Sequence, residues 1–362
     1  MAEKVNISGT KSISEIDTQM TVLRPSATVP FKRDLEYLNG INAPLHEKSN
    51  LTFQDVSVGT VKKAFVFKTG LVVTENGYAI KETLEGSLAD NGVPTDESGS
   101  HYIPLDGLTT LPHSIIAACK FGTFNYSVFL HEILPNIFLS SLSENLAEVP
   151  IPMFFPKFFG EEKKSRIEYI ISQYVTGGRI FTPQNDVFVA PQVHVFKPGS
   201  LTQLPRIKRV MPAMIADLMT GLLWKEAGGS ERIYIQREPK SIRCVENYEA
   251  LRPFLEREGF QSVQLALMPI EDQISLFCRA KLVVAEHGAG LANLWFASGD
   301  TKVLEIFPQP LVGRWLYRYI SQVKHMPYRA LSIDTPEDWV WNRDSIHLPV
   351  ARVAQELTEL VR

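Results

Sequence analysis

The sequence predicts an α/β fold: two Rossmann-like lobes, each a parallel sheet flanked by helices, preceded by a β-rich segment. Three observations carry this. From Leu111 onward, short apolar runs alternate with helix-length amphipathic stretches, the pattern of a parallel sheet with helices on its faces. The stretch Phe196 to Pro205, with its Pro, Gly and Ser, divides that alternation in two. Before Leu111 the apolar runs are short and punctuated by Gly and Asn, which reads as strands and turns.

The expected boundaries follow: residues 1–110 as the β-rich segment, 111–205 as the first lobe, and 206–362 as the second with a terminal helix. In the first segment, Ala64 to Thr69 and Leu71 to Thr74 read as strands, while Met1 to Asn42 show no clear period. The first lobe reads as a helix from Tyr126 to about Leu146, a strand near Met153 to Phe155, a charged helix from Glu161 to Tyr174, and strands near Arg179 to Phe181 and Val187 to Val189. The second lobe opens with a helix over Val210 to Glu226. Strands then follow near Arg232 to Gln236, Ser262 to Leu265, Lys281 to Glu286, Lys302 to Ile306 and Tyr328 to Ile333. Helices over Asn247 to Glu258, Ile270 to Ala280, from Gly290, and over Trp315 to Val323 separate them, so five strands make one doubly wound sheet. Val350 to Val361 is apolar at helical spacing and could pack across the seam between lobes.

Composition narrows the partners. With 362 residues and 44% apolar content, the chain exceeds one usual folding unit and can bury a substantial core. Thirty-seven Lys and Arg against 40 Asp and Glu give a net charge of −3, without the broad positive field that selects nucleic acid. Met1 to Met20 is polar and charged, and no run of about 18 apolar residues follows. The expectation is a cytoplasmic chain with at most peripheral contact at the inner face of a membrane. Cys119, Cys244 and Cys278 lack CxxC spacing, against a disulfide framework or structural zinc.

The segment Glu286-His-Gly-Ala-Gly-Leu-Ala-Asn293 carries the most chemistry. An apolar strand runs into Gly288, Ala289 and Gly290 and then into a helical stretch. Glycines permit the turn and close backbone approach, and free N–H groups at a helix start attract phosphate. The competing reading is a tight strand-to-helix corner with no ligand. His287 stands at the carboxyl end of its strand, where doubly wound sheets bind ligands. One strand later, Glu305 is placed to accept from ribose hydroxyls; the structural alternatives are a His capped by a neighbouring backbone group and a Glu satisfied by an adjacent helix start. Arg237 follows another strand, and its guanidinium fork suits a pyrophosphate.

Taken in order, Arg232 to Arg237, Arg243, Asn247, Gln273, Glu286 to Asn293, Phe296 and Val303 to Pro308 resemble the signature of glycosyltransferase family 61, over about Arg232 to Tyr328. The resemblance implies a GT-B-like architecture, with the first lobe on the acceptor side and the second on the donor side. It also implies inverting transfer from a nucleotide sugar, expected to be a UDP-sugar, as in members that transfer GlcNAc or xylose in eukaryotes or act in bacterial surface-polysaccharide assembly; the expected setting is the bacterial one, in capsule, lipopolysaccharide or exopolysaccharide assembly. Carried over, it makes Arg237, Arg243, His287, Gly288, Ala289, Gly290, Asn293 and Glu305 donor-binding candidates, while Asn247 is expected to cap the following helix. The acceptor is then a glycan or lipid-linked glycan, and nucleotide sugar is a cosubstrate, with no further cofactor.

In the first lobe, Asn125 to Pro135 is similar to the family's segment with an acidic residue before Leu-Pro, which Glu132 fills. Family members commonly carry a His just after the Asn-Tyr pair; here Val128 stands at that place and a His follows only at His131. An inverting transfer needs a base for the acceptor proton, and His131 and Glu132 are the candidates. Adjacent helical residues diverge by about 100°, so one of them is expected to act as a supporter.

No Asp-x-Asp occurs and the histidines are scattered singly, so a metal-independent site is expected, with arginine neutralising the diphosphate. The basic clusters Lys163 to Arg166 and Arg206 to Arg209 read as solvated faces. Two other classes stay open: a nucleotide-sugar-binding scaffold without turnover, and an NAD-dependent oxidoreductase. Against the second, Asn293 replaces the third glycine of its fingerprint, and too little chain follows Glu305 to complete its sheet.

Overall fold

The computed structural model describes residues 3–24, 27–30, 36–37, 50–120, 125–153, 179–197, 216–217, 220–221, 224, 226, 228–311, 314 and 316–362. The charged helix expected over Glu161 to Tyr174, most of Phe196 to Pro205, most of the helix over Val210 to Glu226 and both basic clusters lie outside them. The chain forms two compact units, Met1–Ala27 with Thr52–Met211, and Thr28–Leu51 with Pro212–Arg362.

The first unit is built on one mixed sheet. Its strands are β1 (Gly9–Lys11), β2 (Thr21–Arg24), β3 (Val56–Phe67), β4 (Val72–Thr74), β5 (Tyr78–Ile80), β6 (Thr109–Thr110), β7 (Ile115–Ala117) and β8 (Val187–Lys197). The long strands β3 and β8 pair antiparallel, Val187 opposite Phe67 and Lys197 opposite Ser57. β6 and β7 add to β8 in parallel. This departs from the Rossmann-like lobe expected over 111–205, because β8 takes its long partner from the segment before residue 111. The β-rich segment and the start of that lobe therefore share a sheet.

Alternation along β3 sends Ala64 and Val66 to one core and Phe65 and Phe67 to another. The parity shifts at one place on both strands, since Val61 shares a core with Ala64, and Ala190 with Val193. There Lys63 has φ 46°, and Pro191, which has no N–H for the ladder, interrupts the pairing between Ala190–Ala64 and Gln192–Lys62. An irregularity in both strands at once keeps the apolar faces aligned beyond it.

The second unit is doubly wound. Its strands are β9 (Arg232–Ile235), β10 (Gln261–Val263), β11 (Leu282–Glu286), β12 (Lys302–Pro308) and β13 (Tyr328–Ile333). They lie in the order β10-β9-β11-β12-β13, all parallel. Every residue of β11 is buried, as a parallel strand covered on both faces requires. Helices α1 (Tyr248–Arg257), α2 (Ile270–Arg279), α3 (Leu316–Val323) and α4 (Val350–Val361) complete the layers. Glu36–Tyr37, from the stretch read as without period, adds a sixth parallel strand beside β13.

α4 buries Val353, Leu357 and Leu360, spaced for one helix face, and packs on α1. Within the same unit, Lys302 donates to the Leu360 carbonyl, and Arg329 pairs with Glu356 and Glu359. Among the described residues, no helix is long and apolar enough to cross a membrane.

Candidate anion-binding site

In chain order the five strands of the second unit are arranged 2-1-3-4-5, so connections leave in opposite directions between β9 and β11. Ligands of doubly wound sheets lodge at that switch point, outside the carboxyl ends of the strands. Ile235 and Ala285 are paired there. Arg237 lies two residues beyond Ile235, and His287 follows Glu286, the last residue of β11.

The two sides meet at one oxygen. Arg243 Nη1 donates to the His287 carbonyl at 3.1 Å, and Arg237 Nη2 approaches the same carbonyl at 3.4 Å. Arg237 Nη1 reaches the Ile242 carbonyl, also at 3.4 Å. The intervening loop turns on two left-handed residues, Lys240 (φ 66°) and Arg243 (φ 59°). Such conformations cost free energy in residues with a Cβ and persist where the surroundings fix them. Here the Arg243 N–H donates to the Asp344 carbonyl at 2.9 Å, and Val245 bridges to Ile346.

Burial disfavours the charge on both arginines. It lowers the pKa of Arg237, opposed chiefly by the nearby Glu286. It brings Arg243 down to about 10, with the charges of Arg237 and Arg314 adding to the effect. None of these three arginines has an ion pair with a carboxylate among the described residues. Gathering unpaired cations is costly unless an anion completes them. Arg314 escaped the sequence reading, as did Trp341, whose ring lies 4.8 Å from Arg314 Cζ and 5.8 Å from Arg243 Cζ.

Beneath the arginines, His287 is fixed by a buried relay. Its Nδ1 faces Oε1 of Glu305 at 2.6 Å, and the Tyr328 hydroxyl donates to Oε2 at 2.7 Å. The imidazole stacks on Phe307, with centroids 5.0 Å apart, and tilts against Tyr317. Glu305 has no solvent exposure. Its Oε1 is engaged by His287 and its Oε2 by Tyr328, so the carboxylate expected to meet ribose is here buried within the relay. Tyr328 was missed, though strand parity gave a signal: it pairs with Val303, two residues from Glu305 on the same face.

The glycines hold the corner close. A Cβ on Gly288 would overlap Arg237 Nη2, and one on Gly290 would lie 3.0 Å from Leu265 Cδ1. Beyond them runs a 3₁₀ helix, Ala289–Phe296, where an α-helix from Gly290 was expected. Positive charge at the corner thus comes from guanidinium groups more than from an α-helical dipole. Asn293 is fully buried and donates to Gln273 Oε1 at 3.0 Å, while Gln273 donates to the carbonyls of Leu265 and Met268. These two lock the corner onto α2, with the Asn293 side chain in the interior. Asn247 precedes α1 without a side-chain cap bond; its amide is tied to Leu348 instead.

In the first unit, His131 and Glu132 sit on a helix that runs Tyr126–Val128 as α, Phe129–Ile133 as π and Leu134–Ser141 as α again. A π turn inside an α-helix is frequent at functional sites. Both side chains are 3% exposed. Glu132 accepts from Lys120, and His131 Nδ1 lies 3.1 Å from Ser127 Oγ.

Residues 126–304 match the family model described as Glycosyltransferase 61. The match supports a glycosyltransferase of that family. It takes in the π-bulged helix, Arg237, Arg243 and the whole glycine corner, and it ends one residue before Glu305. Arg314, Trp341 and Tyr328 lie outside the glycosyltransferase 61 match. No curated protein matches the chain.

Proposed function

We propose that this glycosyltransferase moves a sugar from a nucleotide-sugar donor to a hydroxyl of a glycan or lipid-linked glycan, with inversion. The observation that carries the reading is the convergence of Arg237 and Arg243, neither ion-paired among the described residues, on the His287 carbonyl at the switch point. A diphosphate supplies the missing negative charge.

In the reaction, the acceptor oxygen attacks the anomeric carbon while the bond from that carbon to the β-phosphate oxygen breaks. Charge grows on the departing diphosphate, and guanidinium groups already in place stabilise it without reorganisation. The relay from Tyr328 through Glu305 holds the His287 ring by Nδ1, leaving Nε2 for the ligand side. The acceptor proton passes to a base, for which His131 and Glu132 are the candidates. A GT-B-like arrangement, UDP as the nucleotide, metal independence and a role in bacterial surface-polysaccharide assembly complete the reading; the family resemblance supports the first, second and fourth.

A panel of nucleotide sugars incubated with the protein, EDTA and glycan acceptors tests the proposal by release of nucleoside diphosphate. Release from one donor, reduced more than about tenfold by Arg237→Ala or His287→Ala in folded protein, is the expected result. No release and no binding of any donor would contradict it.

Burial of both His131 and Glu132 favours a second reading, a protein that binds nucleotide sugar without transferring it. Binding without turnover across the acceptor panel would select this alternative.

A further inference from the structure

Beside the arginines, the second unit displays an aromatic ring that its own fold leaves open. Trp341 is 42% exposed, as are its neighbour Val340 (36%) and Ile242 across the loop (43%). The segment carrying it is nonetheless firmly built. The Trp339 indole donates to the Ser345 carbonyl at 2.7 Å, Asp344 Oδ2 accepts from the Val340 N–H at 2.7 Å, and the Asp344 N–H returns to the Val340 carbonyl. The Arg243 N–H and the Val245–Ile346 bridge tie this segment to the arginine loop. An ordered loop that holds a large apolar ring in solvent marks a contact surface.

Arg243 links that surface to the glycine corner. Its Cζ stands 5.8 Å from the Trp341 ring centroid, and its Nη1 donates to the His287 carbonyl at 3.1 Å. Ring and corner are thus linked through one guanidinium group. Arg314 contributes a second cation at the ring. Phosphate alone would need the cations but no exposed ring. A molecule that joins phosphates to a flat aromatic group would use both, because bases stack on aromatic side chains and on guanidinium planes.

We infer that Trp341 is the stacking platform for the base of the nucleotide whose diphosphate lies at Arg237 and Arg243. This inference rests on the donor-site reading above and adds to it the residue that recognises the nucleoside.

Titrations with uridine diphosphate, guanosine diphosphate and inorganic pyrophosphate separate the two ideas. Trp341→Ala should weaken both nucleotides by about tenfold or more and leave pyrophosphate within about twofold. Trp341→Phe should recover most of the loss, whereas Arg237→Ala should weaken all three. Nucleotide affinity unchanged in Trp341→Ala would overturn the inference, as would an equal loss for pyrophosphate, which would make the ring a prop for the arginines. Binding of a prenyl phosphate that depends on Trp341 while nucleotide binding does not would overturn it in favour of a lipid. Failure of the wild-type protein to bind any of the three probes would instead remove the donor site itself.

Discussion

Nδ1 of His287 stands 2.6 Å from Oε1 of Glu305, a carboxylate wholly withdrawn from solvent. The Tyr328 hydroxyl occupies its other oxygen, and burial together with the Glu305 charge pushes the Tyr328 pKa well above its ordinary value. Tyr328 therefore remains a donor, and the ring of His287 has one orientation. The histidine of the glycine corner is positioned from behind, by two residues that need never touch a ligand.

Glu305→Gln should uncouple that relay. An amide in place of the carboxylate weakens two bonds in a buried site, each with a charged partner worth about 1.5–3 kcal/mol. Donor kcat/KM should fall by about tenfold or more, while Tyr328→Phe should chiefly lower unfolding free energy, by about 1–3 kcal/mol. Steady-state kinetics beside urea unfolding check the pair; unchanged kinetics in Glu305→Gln would separate His287 from the site.

Gly288→Ala and Gly290→Ala should differ in kind. The backbone of Gly288 is extended, at φ −179°, so alanine fits the chain but displaces the Arg237 guanidinium. Nucleotide affinity should drop as far as in Arg237→Ala with little change in Tm. At Gly290 the new methyl meets Leu265 at 3.0 Å and Ile235 at 3.2 Å, and overpacking of this sort costs about 1–3 kcal/mol of stability. Calorimetric binding and thermal unfolding of both variants separate the two roles.

How far the sequence revealed this arrangement depends on the range of the forces involved. The sheet of the second unit was legible because strands such as Leu282–Glu286, buried on both faces, read as unbroken apolar runs between amphipathic helices. The antiparallel pairing of Val187–Lys197 with Val56–Phe67 was not legible, since no local period records which distant strand lies alongside. At the site, glycines and arginines stood in recognisable order. The burial of Glu305 was not legible, because Tyr328 and His287 reach it only through the folded sheet. Arg314 and Trp341 belong to no local pattern; only the strapping of two loops brings them to the corner.

Glu286 offers a pH test. Burial raises its pKa above the usual 4.5, against the opposing effects of Tyr234 and Arg237. A group raised in the folded state favours folding when protonated, and that contribution is lost as pH rises through the folded pKa. At pH 8 the buried carboxylate therefore carries a penalty that Glu286→Gln lacks. The variant should show the higher Tm at pH 8, and the difference should close as pH falls toward 4.5. Thermal scans across that range give the answer, and parallel curves would count against a buried, titrating Glu286.

The Lys120–Glu132 pair separates base from support in the first unit. Removing one partner of a buried ion pair costs about 3–5 kcal/mol, whereas apolar replacement of both is often tolerated. Glu132→Gln should lower both stability and kcat, with donor affinity retained. The double variant Lys120→Met, Glu132→Leu should regain stability but not kcat if Glu132 takes the acceptor proton. Recovery of both would assign Glu132 a structural part and leave His131 as the base.

Binding of a nucleoside diphosphate in EDTA, by calorimetry on the wild-type protein and on Arg237→Ala, Arg243→Ala, bears most directly on the central claim. If the unpaired guanidinium groups at the switch point receive the diphosphate, the double variant should bind at least about a hundredfold more weakly while unfolding as the wild type does. Equal affinity in the two proteins would contradict it.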